Sequence, residues 1–215
     1  MTVAPAPVDR RAAARDRHRT AIIDAADALI RERGSSRFSV DELAERADVA
    51  RRTVFNHFAS LDDVVTAACT RVLSGLIESF RLSALATPVG DGSRASMFDE
   101  IARSISNTDL PQAIAYMGSA LGSLDAAESR ANAIVQDAFS RVSDQLAAEV
   151  ARRNAGADRL DVELLVASLL QGLVVIARHW VDHCGAALDD VARARWSELL
   201  ERLFTSVRTG YLPER

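Results

Sequence analysis

Apolar residues in this chain return every three or four positions over long stretches, and the return breaks at a few polar, glycine or proline points. A period near 3.6 belongs to helices that bury one face. The pattern predicts a first helix from about Asp16 to Arg33, stopped by Gly34, with Ile22, Ile23, Ala25, Ala26, Leu29 and Ile30 as its stripe. Two short helices follow, from about Val40 to Ala47 and from about Arg51 to Phe58. A long helix then runs from about Leu61 to Ala86, opened by Ser60 with Asp62 and Asp63 in its first turn. Thr87 to Ser93 reads as a loop from its Pro and Gly content. Five more helices are predicted at about 94–106, 111–123, 125–154, 160–184 and 189–211, started by Pro111, Asp125, Asp158 or Asp161, and Asp189. The expected fold class is all-α.

Residues 39–58, SVDELAERADVARRTVFNHF, carry the densest local information. Ser39 and Glu42 have the spacing of a capping box, in which each side chain accepts from the other's backbone N–H. Val40, Leu43, Ala44 and Ala47 then share one helix face, and Asp41, Glu42, Glu45 and Arg46 the other. Only a turn fits between this helix and the next, and Asp48 is placed at the bend because Asp tolerates a left-handed conformation. In the second helix Val54 and Phe58 face inward, while Arg51, Arg52, Thr53, Asn56 and His57 are donors, acceptors or cations. A major-groove helix needs such side chains, since Arg reads guanine, Asn reads adenine, and Thr meets a phosphate or a thymine methyl.

Residues 19–65 resemble the N-terminal domain of the TetR family of bacterial transcriptional regulators. The likeness lies in the small and apolar positions of the first helix up to Gly34, the capped helix from Ser39 to Ala47, and the run Thr53, Val54, Phe55, Asn56, His57, Phe58. Four positions depart from the family pattern: Asp48 replaces the turn glycine, Ala50 the serine cap, Phe55 a phosphate-touching tyrosine, and Leu61 a lysine. Losing the cap costs about 1 kcal/mol of local helix stability. The resemblance implies double-stranded DNA with a palindromic operator as partner. The candidate contacts are Arg17, Arg19, Thr20, Ser39, Val40, Ala50, Arg51, Arg52, Thr53, Phe55, Asn56 and His57.

Charge changes this picture only when it is divided along the chain. The total is −4, and all 26 basic residues are arginine. Residues 10–19 carry a net +4 and residues 49–61 a net +2, whereas residues 61–215 hold 15 arginines against 21 acids. Positive charge therefore sits where phosphate would be met. Residues 1–15 are expected to form a disordered basic arm, 16–65 the DNA-binding domain, and 66–215 an effector-binding and dimerisation domain.

The absence of lysine excludes a phosphate-binding loop of the Walker type and Schiff-base chemistry. There is no GxSxG or HExxH motif, and His18, His57, His179 and His183 build no triad, so no enzyme is expected. Cys69 and Cys184 stand far apart without CxxC spacing, which suits a reducing cytoplasm and indicates no zinc site. His179 and His183 share a helix face beside Cys184, but two ligands without a third do not define a metal centre, and no cofactor is expected. The longest uncharged run, Leu164 to Ala177, is 14 residues, short of a span, so no membrane partner is expected.

Two further sets follow from the last helices and from the resemblance. Leu165, Leu169, Leu173 and Ile176 belong to a helix that is apolar nearly all round, and Trp196, Leu199, Leu200, Leu203 and Phe204 to a single stripe continued by Val207 and Tyr211. These are the expected homodimer interface. A small-molecule effector, largely apolar, is expected among Met97, Phe98, Ile101, Tyr116, Met117, Leu121, Phe139, His179, Trp180 and His183, with Phe80 nearby in character. The chain is thus expected to be a ligand-responsive homodimeric regulator, most simply a repressor. Two alternatives are a helical module that uses residues 39–58 on a protein partner, and, behind it, an enzyme built in a helical bundle.

Overall fold

The computed structural model describes residues 10–88, 90–122 and 129–210, with side chains over 12–88, 90–122 and 140–210. Among the described residues there are nine helices and no strand: α1 (Arg10–Arg33), α2 (Val40–Arg46), α3 (Arg51–His57), α4 (Leu61–Ala86), α5 (Arg94–Ser106), α6 (Leu110–Leu121), α7 (Ser129–Arg153), α8 (Arg159–Cys184) and α9 (Asp190–Thr209). The all-α class read from the sequence is the observed one. The chain divides into two compact units, one reaching to Cys69 together with Ser119–Gly122, the other holding Thr70–Gly118 and the chain from Ser123 onward.

In the first unit α1 buries Ile22, Ala25, Ala26, Leu29 and Ile30 at helical spacing, against Phe38, Leu43, Ala44, Val54 and Phe58 from the two short helices and their flanks. Burying side chains of this size contributes about 1.5–3 kcal/mol each for the larger ones. Ion pairs Arg31–Asp27, Arg33–Glu42 and Arg46–Glu32 lie on the rim with substantial exposure on at least one partner. Each is worth only about 0–1 kcal/mol. One boundary differs from expectation: α1 begins at Arg10, so residues 10–15 are helical rather than part of a loose arm. The run RRAAAR extends a helix already nucleated downstream, because alanine and arginine propagate helix at little cost. Residues 1–9 lie outside the described residues.

The second unit has a core of Met97, Phe98, Ile101 and Ile105 from α5, Leu146 and Val150 from α7, Val162, Val166, Leu169, Leu170, Ile176 and Trp180 from α8, and Trp196, Leu199, Leu200, Leu203 and Phe204 from α9. The helix starts are capped as sequence predicts: Asp158 accepts from the Leu160 and Asp161 amides at 2.8 and 3.2 Å, and Asp189 from Ala192 at 2.8 Å. The corner between α8 and α9 turns on Gly185, in the left-handed region at φ 58°. Gly172 lets the two helices close, since a Cβ there would stand 2.1 Å from Leu203 Cδ1. The Gly118 and Gly122 spacing, expected to mark close packing, instead faces nothing within 4 Å. Asp125 and Tyr211, placed by sequence on helices, lie outside the described residues.

Helix α8 is long and apolar enough to cross a membrane by length and mean hydropathy. Val162, Val166, Leu169, Leu170, Ile176 and Trp180 are nevertheless buried on it, and it packs on α5, α7 and α9 as the central helix of its unit. A core helix passes the same test as a span. One polar cluster is buried in this unit, where Arg153 of α7 pairs with Glu100 of α5 and donates to the Thr87 carbonyl. Asn154 donates to the Val150 carbonyl at 3.0 Å and reaches Glu100 at 3.5 Å.

Candidate nucleic-acid interface

The local chemistry of residues 39–58 builds the site. Ser39 N–H donates to Glu42 Oε2 at 2.7 Å and Glu42 N–H to Ser39 Oγ at 3.2 Å, so the capping box that starts α2 is complete. Glu42 also accepts from Arg33 at 2.8 Å. The Arg33 guanidinium first, and the Ser39 bonds after it, hold the Glu42 carboxyl down at about 2. The bend falls at Asp48, whose φ of 52° is left-handed, and Val49 N–H returns to the Ala44 carbonyl at 3.0 Å.

Helix α3 then starts at Arg51 from Ala50, which offers no side-chain cap. Val54 and Phe58 point into the core at 2% and 6% exposure. Arg51, Arg52, Phe55 and Asn56 are exposed, and Thr53 and His57 are half-buried at the edge of the same face. Phe55, at 47% exposure, is an aromatic with no core role. Arg51 is held by Asp41 of α2, with Nη1 at 3.2 Å from both carboxylate oxygens, and stands 5.9 Å from the Phe55 ring. Both partners are largely in water, so a phosphate can compete for Arg51 at small cost. Arg52 has no ion-pair partner among the described residues.

The first turns of α1 join this surface. Arg15, Arg17, Arg19 and Thr20 are exposed, and the Arg19 guanidinium lies 4.7 Å over the Phe58 ring. His18 meets His57 edge to face, with ring centroids 6.2 Å apart. His57 is shifted below its ordinary value by burial first, then by the positive surroundings of Arg15, His18 and Arg19, with Asp16 opposing. Of the sequence-predicted contacts, those on α1 and α3 thus share one cationic surface, whereas Ser39 is engaged in the cap and half-buried Val40 begins α2. Sequence reasoning missed His18 and Arg15. Their one signal was membership of the arginine run, and the ring pairing depends on how α1 packs on α3.

The expected effector residues are placed otherwise. Met97, Phe98, Ile101 and Trp180 belong to the core of the second unit, and Trp180 Nε1 donates to the Ala192 carbonyl at 2.7 Å. Tyr116 and Met117 are buried, Leu121 is half-buried, and the Phe139 side chain lies outside the described residues. His179 and His183 are exposed, and His183 Nδ1 stands 2.7 Å from the His179 carbonyl. The set does not form one pocket among the described residues. An open groove of about 540 Å³ runs between α5 and α9, lined by Phe98, Ala102, Arg103, Glu201, Phe204 and Arg208, and takes only Phe98 from the expected set. The same apolar periodicity served packing in most of these residues, because helices stripe their core and their pocket faces alike.

The expected interface is corrected in the same way. Leu169, Ile176, Trp196, Leu199, Leu200, Leu203 and Phe204 are buried within the protomer, and Leu165 and Leu173 are partly buried against the same core. Apolar side chains left open are Leu160, Leu164 and Val175 on α8, with Leu188 and Val191 at the corner into α9, Val191 at 79% exposure. Cys69 is buried and its thiol is pushed up to about 11, which makes it inert toward oxidants. Among the described residues no group of three or more His, Cys, Asp or Glu is arranged to hold a metal.

Comparison with known proteins supplies the frame for this surface. Residues 22–68 match the family model of bacterial regulatory proteins, tetR family. No curated protein matches. Among solved structures, the fatty acid degradation regulator FadR of Bacillus halodurans is similar at a TM-score of 0.62 and 15% identity, covering 92% of this chain and 97% of that one. FadR of Thermus thermophilus, a TetR-family transcriptional repressor in complex with lauroyl-CoA, is similar at 0.59 and 20% identity, over 92% of this chain and 96% of that one. At these identities the likeness is one of fold.

Proposed function

Since the chain belongs to the TetR family of bacterial regulators, we propose that it is a cytoplasmic homodimeric transcriptional regulator, a repressor whose α3 reads a palindromic operator and which a small-molecule effector releases. The observation that carries the reading is the single cationic face made by α1 and α3, with Arg17, Arg19, Arg52 and Asn56 exposed on it and Arg51 in an exchangeable pair with Asp41. Arg51, Arg52 and Asn56 read base edges, and Thr53, Arg17 and Arg19 hold phosphates. Two copies are needed, because one seven-residue helix contacts too few base pairs to specify a site. The open stripe Leu160, Leu164 and Val175 of α8 is the surface on which a second copy sits.

The effector binds in the second unit. The Thermus thermophilus FadR complex with lauroyl-CoA makes a ligand with a long apolar part the first class to screen. Such a ligand must prefer the DNA-incompetent state, and DNA by reciprocity weakens the ligand by the same factor. Selection of bound fragments from random duplex DNA by the purified protein, at several salt concentrations, tests the reading. An enriched palindrome with half-sites about 34–36 Å apart, or a multiple, is the expected result. Affinity that does not fall with salt, or no enrichment with or without small-molecule pools, would move α3 to a protein partner.

A further inference from the structure

His18 is on no expected contact list, yet it stands against His57 at the middle of the cationic face, one imidazole on α1 and the other on α3. We propose that His18 and His57 form a phosphate-holding pair of the DNA interface, and that the pair takes up a proton from solvent as DNA binds. The inference rests on the DNA-binding reading above. His18 is exposed and His57 half-buried, so a phosphate oxygen has access to the pair. The charged groups that act on the His57 ring all come from α1: Arg15, Arg19 and His18 on the positive side and Asp16 on the negative. Helix α2, which also packs on α3, contributes none of them. On α3 itself, Arg51 and Arg52 lie about one and a half turns upstream.

With that surrounding charge, the free protein keeps His57 in its neutral form at a pH where an ordinary imidazole is already half protonated. A phosphate reverses the balance. It offsets the arginine field, accepts a hydrogen bond from the imidazolium, and favours the charged form. The pair is therefore protonated more readily in the complex than in the free protein. Binding free energy from this source is fully present below the free-state value and is lost as pH rises through the bound-state value. The free value lies below 6.5, so the window opens on the acid side of neutrality and closes on the alkaline side.

The test is fluorescence anisotropy of the full chain with a labelled mixed-sequence duplex of about 30 base pairs, long enough for two half-sites, at constant ionic strength. Phosphate contacts are sequence-independent, so the operator is not required. Affinity is expected to rise about tenfold from pH 8 to pH 6, the change carried by one unit of pKa shift. His57→Gln is expected to lose most of that slope, His18→Gln part of it, and the double variant all of it, with helicity checked by circular dichroism. Calorimetry of the unsubstituted protein in buffers of different ionisation heat gives a second reading that needs no variant, and a proton uptake of order one per protomer near pH 7 is expected. Duplex binding without proton uptake, or an unchanged slope in the double variant, overturns the pair while leaving DNA recognition intact. Absence of duplex binding at every pH overturns the DNA reading itself.

Discussion

The first unit displays its chemistry and the second conceals it. In α1 to α3 the residues of interest are exposed polar side chains on helices whose starts and bend are set by local signals, such as the Ser39–Glu42 box and the left-handed Asp48. In α5 to α9 nearly every residue that looked functional is apolar, and the fold has spent it on packing. The contrast between Phe55 and Trp180 is instructive. Both are aromatics placed by sequence in a binding role, yet Phe55 is 47% exposed and Trp180 is fully buried with its N–H bonded to Ala192. A polar face identifies itself by exclusion from the core, whereas an apolar stripe is the same whether it meets its own chain, a second copy or a ligand.

The largest expected effect breaks the second unit. Trp180→Ala removes a ring that meets Trp196 edge to face at 5.9 Å, and leaves the Ala192 carbonyl without its donor. A loss of about 3–5 kcal/mol is expected in denaturant unfolding. Phe55→Ala, on the exposed face of α3, is expected to cost less than about 0.5 kcal/mol. Comparable losses from the two would abolish the distinction between a hidden and a displayed aromatic.

Next in size is Leu164→Arg on the open face of α8. Leu164 is 55% exposed in the protomer, so the substitution is expected to leave the protomer fold intact. If this face carries the second copy, a buried arginine there costs about 2 kcal/mol or more of association, and sedimentation at micromolar concentration shifts toward monomer. An unaltered dimer would place the interface elsewhere.

On the first unit the expected effects are smaller and separate by kind. Arg52→Ala and Asn56→Ala each cost about 1–3 kcal/mol of operator binding and relax preference at one base pair, if they read base edges. Arg17→Ala, as a phosphate contact, is expected to weaken all duplexes alike and to reduce the salt slope by about one. A salt titration on specific and mixed-sequence duplexes distinguishes these outcomes. A uniform loss from Asn56→Ala would remove it from the base-reading set.

How legible each part was follows from the same division. The nine helices and their caps were readable because Ser39, Ser60, Ser93, Asp158 and Asp189 act within three residues of themselves. The early start of α1 was not, because a run of arginines with alanines suits either a solvated arm or a continued helix, and only attachment to the Ile22 to Ile30 stripe decides. The buried pair Glu100–Arg153 was also invisible. Nothing local marks a glutamate on α5 as the partner of an arginine 53 positions on in α7. The DNA face was legible residue by residue on α3, and His18 was not, since its meaning lies in the packing of α1 on α3.

The smallest effect sharpens the comparison at the one helix start where local signal and structure disagree. Ala50 occupies the N-cap of α3 with φ −68° and ψ 146°, the conformation a serine cap adopts, but it supplies no side-chain acceptor. Thr53 N–H turns instead to the Ala50 carbonyl at 2.7 Å. Ala50→Ser needs no backbone change, so a gain of about 1 kcal/mol in local stability is expected, read as slower hydrogen exchange at the Thr53 and Val54 amides. Such a short helix depends on its first turn, and a firmer α3 is expected to bind the operator at most several-fold more tightly by losing less order on docking. Faster exchange in the variant would mean that the introduced hydroxyl turns away from α3. An unchanged rate would mean that the packing of Val54 and Phe58, and not the cap, already sets how firmly the reading helix is held.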